Sequence, residues 1–160
     1  MRLETFREIE AEFVTRVNTM VWCAFTTIDR RGNPRSRVVH TLWDGATGWV
    51  AARRHSPKSR DLEAHPQVSL AYIADILHPV YVQATATWAD DLETKRRVWD
   101  LFAAAPPPLG YDPGPIYGGV EAPDYGVLRI TPLSIELGDV SGQGERRVTW
   151  HAQQHEPGPA

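Results

Sequence analysis

The sequence predicts a mainly β protein, a small closed or partly closed antiparallel barrel with two or three helices at its periphery. Three observations predict it. About seven short β-prone runs are separated by turn residues, two or three other segments carry helical spacing, and strands and helices nowhere alternate as βαβ units.

In chain order, Leu3, Phe6, Ile9, Phe13, Val17 and Met20 recur at spacings of three and four, which predicts an amphipathic helix over 3–20. VWCAFTTI at 21–28 is β-prone and runs into a turn marked by Gly32 and Pro34. RVVHTLW and GWVAA flank the turn residues DGATG as the arms of a hairpin, so the first three strands are expected to form a meander. Ser56 is positioned as a helix cap with Pro57 at the first helical residue, followed by the short helical run RDLEAH. Val68, Leu70 and Tyr72 alternate with small residues as in a strand, and VYVQATATWA alternates over a longer one, as in a barrel wall. DDLETKRRVWDLFAAA has an acidic start and helical spacing, and it ends at Pro106–Pro108. The segment 106–126, rich in Pro, Gly and Tyr, is a functional loop or contains a short helix, and its Tyr111, Tyr117 and Tyr125 could stack on a ring, cover a site, contact a second subunit or simply pack the loop on the barrel. A strand broken at Pro132 spans 127–140, a glycine turn follows, and RRVTW is the last strand.

A chain of 160 residues suits one domain, expected over 1–150 with a flexible tail at 151–160. Its 42% hydrophobic and 23% charged residues are ordinary for a globular protein. A net charge of −3 excludes a surface built throughout for nucleic acid, so any anion site must be local. The single cysteine, Cys23, lies in an apolar run, where a buried, inert thiol is expected. It suits a reducing cytoplasm. The N-terminus mixes acids and bases where a signal peptide is apolar, and no run approaches the roughly 18 apolar residues of a membrane span, so a soluble cytoplasmic protein is expected.

The basic corner ARRHSPKS is the stretch that carries chemistry. Backbone N–H groups at a helix start, the Lys58 ammonium, the Ser56 and Ser59 hydroxyls and a guanidinium from Arg37 on a neighbouring strand match a phosphate. Taken alone, these residues fit an ordinary cap with solvated cations better. His40 shares the strand of Arg37, but a lone histidine is more often structural than an acid or base. Histidine and cysteine spacings match no metal site, and the glycine-rich and nucleophile-elbow motifs are absent.

From Val21 to Val140 the chain resembles the flavin-binding split-barrel proteins of the pyridoxamine 5′-phosphate oxidase superfamily. The residues that carry the resemblance are R-V-V at 37–39 and SPKSRDLEAHPQVSLAY, supported by the V-x-V-x-A strand at 80–84 and the Pro-broken strand at 130–137. The resemblance implies a split β-barrel of about six to seven antiparallel strands, as such folds are built. It also implies a homodimer with FMN at the subunit interface. Arg37, Ser56 and Lys58 would hold the phosphate with Ser59 beside them, while Val38, Val39, His40 and the backbone of Ala51 and Ala52 would lie along the rest of the flavin. The same groove in relatives takes a deazaflavin coenzyme. Two departures stand out: Leu42 occupies the position of a lysine in true pyridoxamine phosphate oxidases, and RRVTWHAQQHEPGPA lacks their basic substrate-contacting terminus. The implied function is therefore an FMN-dependent oxidoreductase of unknown small-molecule substrate rather than a true pyridoxamine phosphate oxidase. No catalytic residue is identifiable. The alternatives are a deazaflavin-dependent reductase, a non-catalytic flavin- or haem-binding protein, and an interaction domain that docks through the helix at 3–20.

Overall fold

The computed structural model describes residues 1–142 and 144–153. In order, the elements are β1 (Arg2–Leu3), α1 (Glu10–Met20), β2 (Trp22–Ile28), β3 (Pro34–His40), β4 (Leu42–Asp44) and β5 (Thr47–Arg53). They continue with α2 (Pro57–Ala64), β6 (Gln67–Tyr72), β7 (Val80–Trp88), α3 (Leu92–Ala104), α4 (Gly114–Tyr117), β8 (Tyr125–Gly142) and β9 (Gly144–His151). The sheet runs β1-β9-β8-β7-β6-β2-β3. All pairings are antiparallel except β1 with β9. The 18-residue β8 organises the sheet. Its first part pairs with β5 and its last part with β9, while β7 spans the middle. The sheet curls until β3 touches β5, yet no ladder joins them. This is a split β-barrel, open along the β3–β5 seam.

Period-two alternation sends one face of each wall strand inward. Phe25, Leu70, Tyr72, Val80, Val82 and Ile135 are fully buried there, with Ile9, Phe13 and Val17 beneath them. Burying each large apolar side chain contributes about 1.5–3 kcal/mol. The β5–β8 pair is buried on both faces. Val50, Leu128 and Ile130 face the barrel, while Trp49 and Val127 lie under α3 with Val98 and Phe102.

Several expectations change. The first helix begins at Glu10 rather than Leu3, because Glu8 accepts the Thr5 N–H at 2.8 Å and the Thr5 hydroxyl at 2.9 Å, turning the chain in a short 3₁₀ segment. Arg2 and Leu3 instead join β9 at Thr149 and Trp150. The run RVVHTLW is not one hairpin arm. It breaks at Thr41, β3 pairs with β2, and only Leu42–Asp44 pairs with β5. The expected meander therefore ends at β3, and β5 crosses to β8. Pro132 interrupts nothing. Its missing N–H is accommodated at a bulge, where Gln83 and Ala84 face Ser134 and Pro132 and leave Leu133 as the extra residue. The strand RRVTW extends to His151, which pairs with Ser134, and residues 154–160 of the expected tail lie outside the described residues.

The α3 cap is as read, with Asp91 accepting the Thr94 N–H at 2.8 Å. The loop 106–126 contains the short α4, and its Tyr111 and Tyr117 pack against the α3 cluster. Burial pushes the Cys23 thiol up to about 12, so it is protonated and inert at neutral pH. Among the described residues no helix is long and apolar enough to cross a membrane.

Candidate functional site

The seam is where backbone is left over. β4 covers one edge of β5 as far as Trp49, and from Val50 to Arg53 that edge has no ladder partner among the described residues. A cleft of about 510 Å³ follows it. Arg35, Arg37, Val38, Val39 and His40 of β3 form one wall, Val50 to Arg53 of β5 the other, and Ser56, Pro57, Lys58 and Asp61 of α2 close the end. Every site residue predicted from the sequence lines this cleft except Ser59. A larger groove of about 1050 Å³ runs along β1 and β9, and it holds none of them. Among the described residues no group of three His, Cys, Asp or Glu side chains converges as a metal ion requires.

The electrostatics at the α2 end favour an anion. Ser56 takes the extended cap conformation, φ −85° and ψ 162°, but its hydroxyl makes no capping bond. Its Oγ is buried without any hydrogen-bond partner. Leaving such a group unmet costs about 1–3 kcal/mol. Burial holds the Lys58 ammonium below its ordinary value, and the positive charge of Arg37 lowers it further. Arg37 is itself aimed by a 3.2 Å bond from Nη2 to the buried Thr27 Oγ1. Two crowded cations and an orphaned hydroxyl, with no carboxylate within ion-pair distance of Lys58 or Arg37 among the described residues, form an arrangement that an anion relieves.

Ser59 is committed elsewhere. It accepts a 2.6 Å bond from Arg54, whose guanidinium also grips Asp90 at 2.9 and 3.1 Å and lies 4.7 Å from the Trp88 ring centroid. The clamp fixes the first turn of α2, so Ser56 and Lys58 keep their aim into the cleft. Arg35, Val50, Arg53, Pro57 and Asp61 also line the cleft, beyond the residues expected from the sequence. Arg35 was available from period two, being two residues before Arg37 on the same strand face. Asp61 was available from helical spacing, three residues after Lys58.

At the far end, His40 Nε2 donates to the Leu109 carbonyl at 2.7 Å, and the ring packs 5.0 Å from Tyr111 and 5.6 Å from Phe102. Burial lowers the His40 pKa from the usual 6.5, against a smaller opposing effect of the Leu109 carbonyl. The unfolded chain therefore binds the proton more readily, and stability must fall as pH drops below about 6.5 through the folded value. Thermal unfolding between about pH 7.5 and pH 5.5 should show this fall in the wild type and a smaller one in His40→Gln. Equal falls in both would remove His40 from the account.

Fold and cleft together define a split β-barrel protein with a cationic groove at its open seam. The family model described as pyridoxamine 5′-phosphate oxidase matches residues 9–137, and the chain belongs to that family. The structure resembles a protein related to general stress protein 26 from Clostridium acetobutylicum, with a TM-score of 0.70, 16% identity, and coverage of 90% of this chain and 94% of that one. It also resembles a pyridoxamine 5′-phosphate oxidase-related, FMN-binding protein from Nostoc punctiforme, with a TM-score of 0.68, 14% identity, and coverage of 96% and 94%. An F420 reductase aligns with a TM-score of 0.57, 14% identity, and coverage of 76% and 93%. At these identities the likeness is one of fold. No curated protein matches the sequence.

Proposed function

We propose that the protein is an oxidoreductase of the pyridoxamine 5′-phosphate oxidase-like kind that holds FMN through its phosphate and acts on a substrate other than pyridoxamine phosphate. The observation that carries this reading is the buried, unpartnered Ser56 hydroxyl beside the Lys58 and Arg37 charges. A phosphate with nearly two negative charges would accept from all three, in charge-assisted bonds about twice as strong as neutral ones. The ribityl chain and ring would then run along the free edge of β5 at Ala51 and Ala52, opposite Val38, Val39 and His40. Bound there, the flavin would supply hydride chemistry, and the protein would supply placement and electrostatics. Leu42 is buried at 5% exposure beneath α3, so no cation reaches the cleft from that position.

A homodimer is part of the proposal. Val38, 76% exposed, stands on the outer strand β3 beside the cleft, and Trp22, 47% exposed, lies on the neighbouring β2. An edge strand with apolar exposure is stabilised by a cover, and a second copy would complete the cleft walls. Visible absorption of the purified protein, then parallel titrations with FMN, riboflavin and a deazaflavin coenzyme, tests the cofactor, and sedimentation tests the dimer. Binding of none of the three would overturn the cofactor reading. A bound flavin that, once reduced, shows neither rapid reoxidation nor substrate turnover would instead identify a non-catalytic flavin-binding protein.

A further inference from the structure

The two ends of the seam cleft differ in charge. Arg35, Arg37 and Lys58 gather toward α2, while the end at His40 is built from aromatic rings and backbone. Around the imidazole stand Trp22 of β2, Phe102 of α3 and Tyr111 of the loop after α3, with ring centroids 5.4, 5.6 and 5.0 Å away. Phe102 is fully buried and seals the α3 side, whereas Trp22 stays exposed. His78 is the one histidine in an ion pair among the described residues, so His40 has no carboxylate within 4 Å. Burial and the Leu109 carbonyl, not a neighbouring charge, set the proton affinity of its ring. Burial also pushes the Tyr111 phenol well above its ordinary value, which keeps it protonated. This end of the cleft is uncharged at neutral pH.

It still offers one polar atom. A carbonyl can only accept, so His40 Nε2 must carry the proton in its 2.7 Å bond to Leu109. In the neutral ring Nδ1 is then an acceptor with a free lone pair. It has no hydrogen-bond partner among the described residues, and it is not one of the polar atoms sealed from solvent. The Leu109 bond and the three rings hold the imidazole in place, so the acceptor is set before any ligand arrives. An anion seated there would meet a lone pair and no cation, which disfavours it. A ring without a donor would cover Nδ1 and leave it unmet.

We propose that the His40 end of the cleft is the substrate pocket, and that it takes an uncharged ring bearing an O–H or N–H group, which packs against Trp22 and Tyr111 and donates to His40 Nδ1. This rests on the flavin reading above and names the substrate class of that site. His40 is its specificity-determining residue. A pocket built to accept one hydrogen bond rejects the analogue that lacks the donor, and the absence of cations rejects a phosphate ester.

The experiment titrates the full-length protein, FMN-loaded and ligand-free, with 2-naphthol, 2-methoxynaphthalene and 2-naphthoate at neutral pH. Binding is read from the NMR signals of the His40 ring, which a ligand at the distant α2 end does not touch. In the FMN-loaded protein 2-naphthol should bind about fivefold or more tightly than its methyl ether, the worth of one hydrogen bond, and 2-naphthoate should bind more weakly than 2-naphthol. His40→Gln keeps a side-chain amide donor for the Leu109 carbonyl and removes the Nδ1 acceptor. Read from the Trp22 indole signal, it should abolish the margin over the ether without weakening the ether itself. Equal binding of naphthol and ether, naphthoate binding as tight as naphthol, or a margin that survives in His40→Gln would overturn the proposal. So would a margin seen only without FMN, because the flavin would then occupy Nδ1 itself. If FMN fails to bind, the cofactor reading falls, and the ligand-free titration decides the pocket by the same margins.

Discussion

Replacing Lys58 with alanine is expected to weaken FMN binding by about 10- to 100-fold, the worth of one charge-assisted hydrogen bond, and to leave riboflavin binding within about threefold. The asymmetry follows from position. Lys58 closes the α2 end of the cleft with Ser56, at the phosphate end of the proposed flavin path and away from the β5 edge that would carry the ring. A second readout separates this from general damage. Burial and the nearby Arg37 depress the Lys58 pKa in the folded chain. A lysine so depressed destabilises the fold at every pH below its folded value and stops doing so above the unfolded value near 10.5. The ligand-free Lys58→Ala variant should therefore unfold at the same temperature as the wild type or a higher one near neutral pH. Equal losses for FMN and riboflavin would show that Lys58 does not meet the phosphate, and a lower melting temperature would show that it supports the fold.

What could be read from the sequence was local. The α2 corner was legible because a serine cap followed by proline fixes where a helix starts, and the start fixes where Ser56 and Lys58 sit. The alternation in β6 and β7 likewise gave their faces. Partner choice was not legible. Thr41 is β-branched and continues the strand pattern of Val38 and Val39, so nothing nearby announces the break between β3 and β4. The cause lies at Val21 and Tyr72, 20 and 31 residues away. Ser59 reads as a phosphate ligand until Arg54 and Asp90 are placed, and Asp90 reaches that corner from 36 residues beyond Arg54. The split of the barrel, and with it the free edge of β5, is a consequence of those distant contacts. The resemblance to the split-barrel family supplied the architecture that local pattern left open.

Tyr72→Phe should be the most destabilising conservative change in the wall of the barrel, costing about 2–4 kcal/mol, because one oxygen satisfies two buried groups. Trp43 Nε1 donates to the Tyr72 hydroxyl at 2.7 Å, that hydroxyl lies 2.6 Å from Thr41 Oγ1, and Thr41 Oγ1 donates to the Val21 carbonyl at 3.2 Å. Tyr72 and Thr41 are wholly buried and Trp43 is 2% exposed, so water cannot replace the lost oxygen. The relay also holds Val21, a β-branched residue at φ +66°, where such residues are strained. The Val21 carbonyl takes both the Thr41 N–H, at 3.1 Å, and its hydroxyl, which fixes the corner at which β3 ends and β4 departs for β5. Loss of the phenol oxygen should therefore lower the unfolding free energy measured in urea and also loosen the seam, lowering FMN affinity for a site that Tyr72 does not line. A loss below about 1 kcal/mol would mean that Trp43 and Thr41 find other partners, and that the break at Thr41 rests on packing alone.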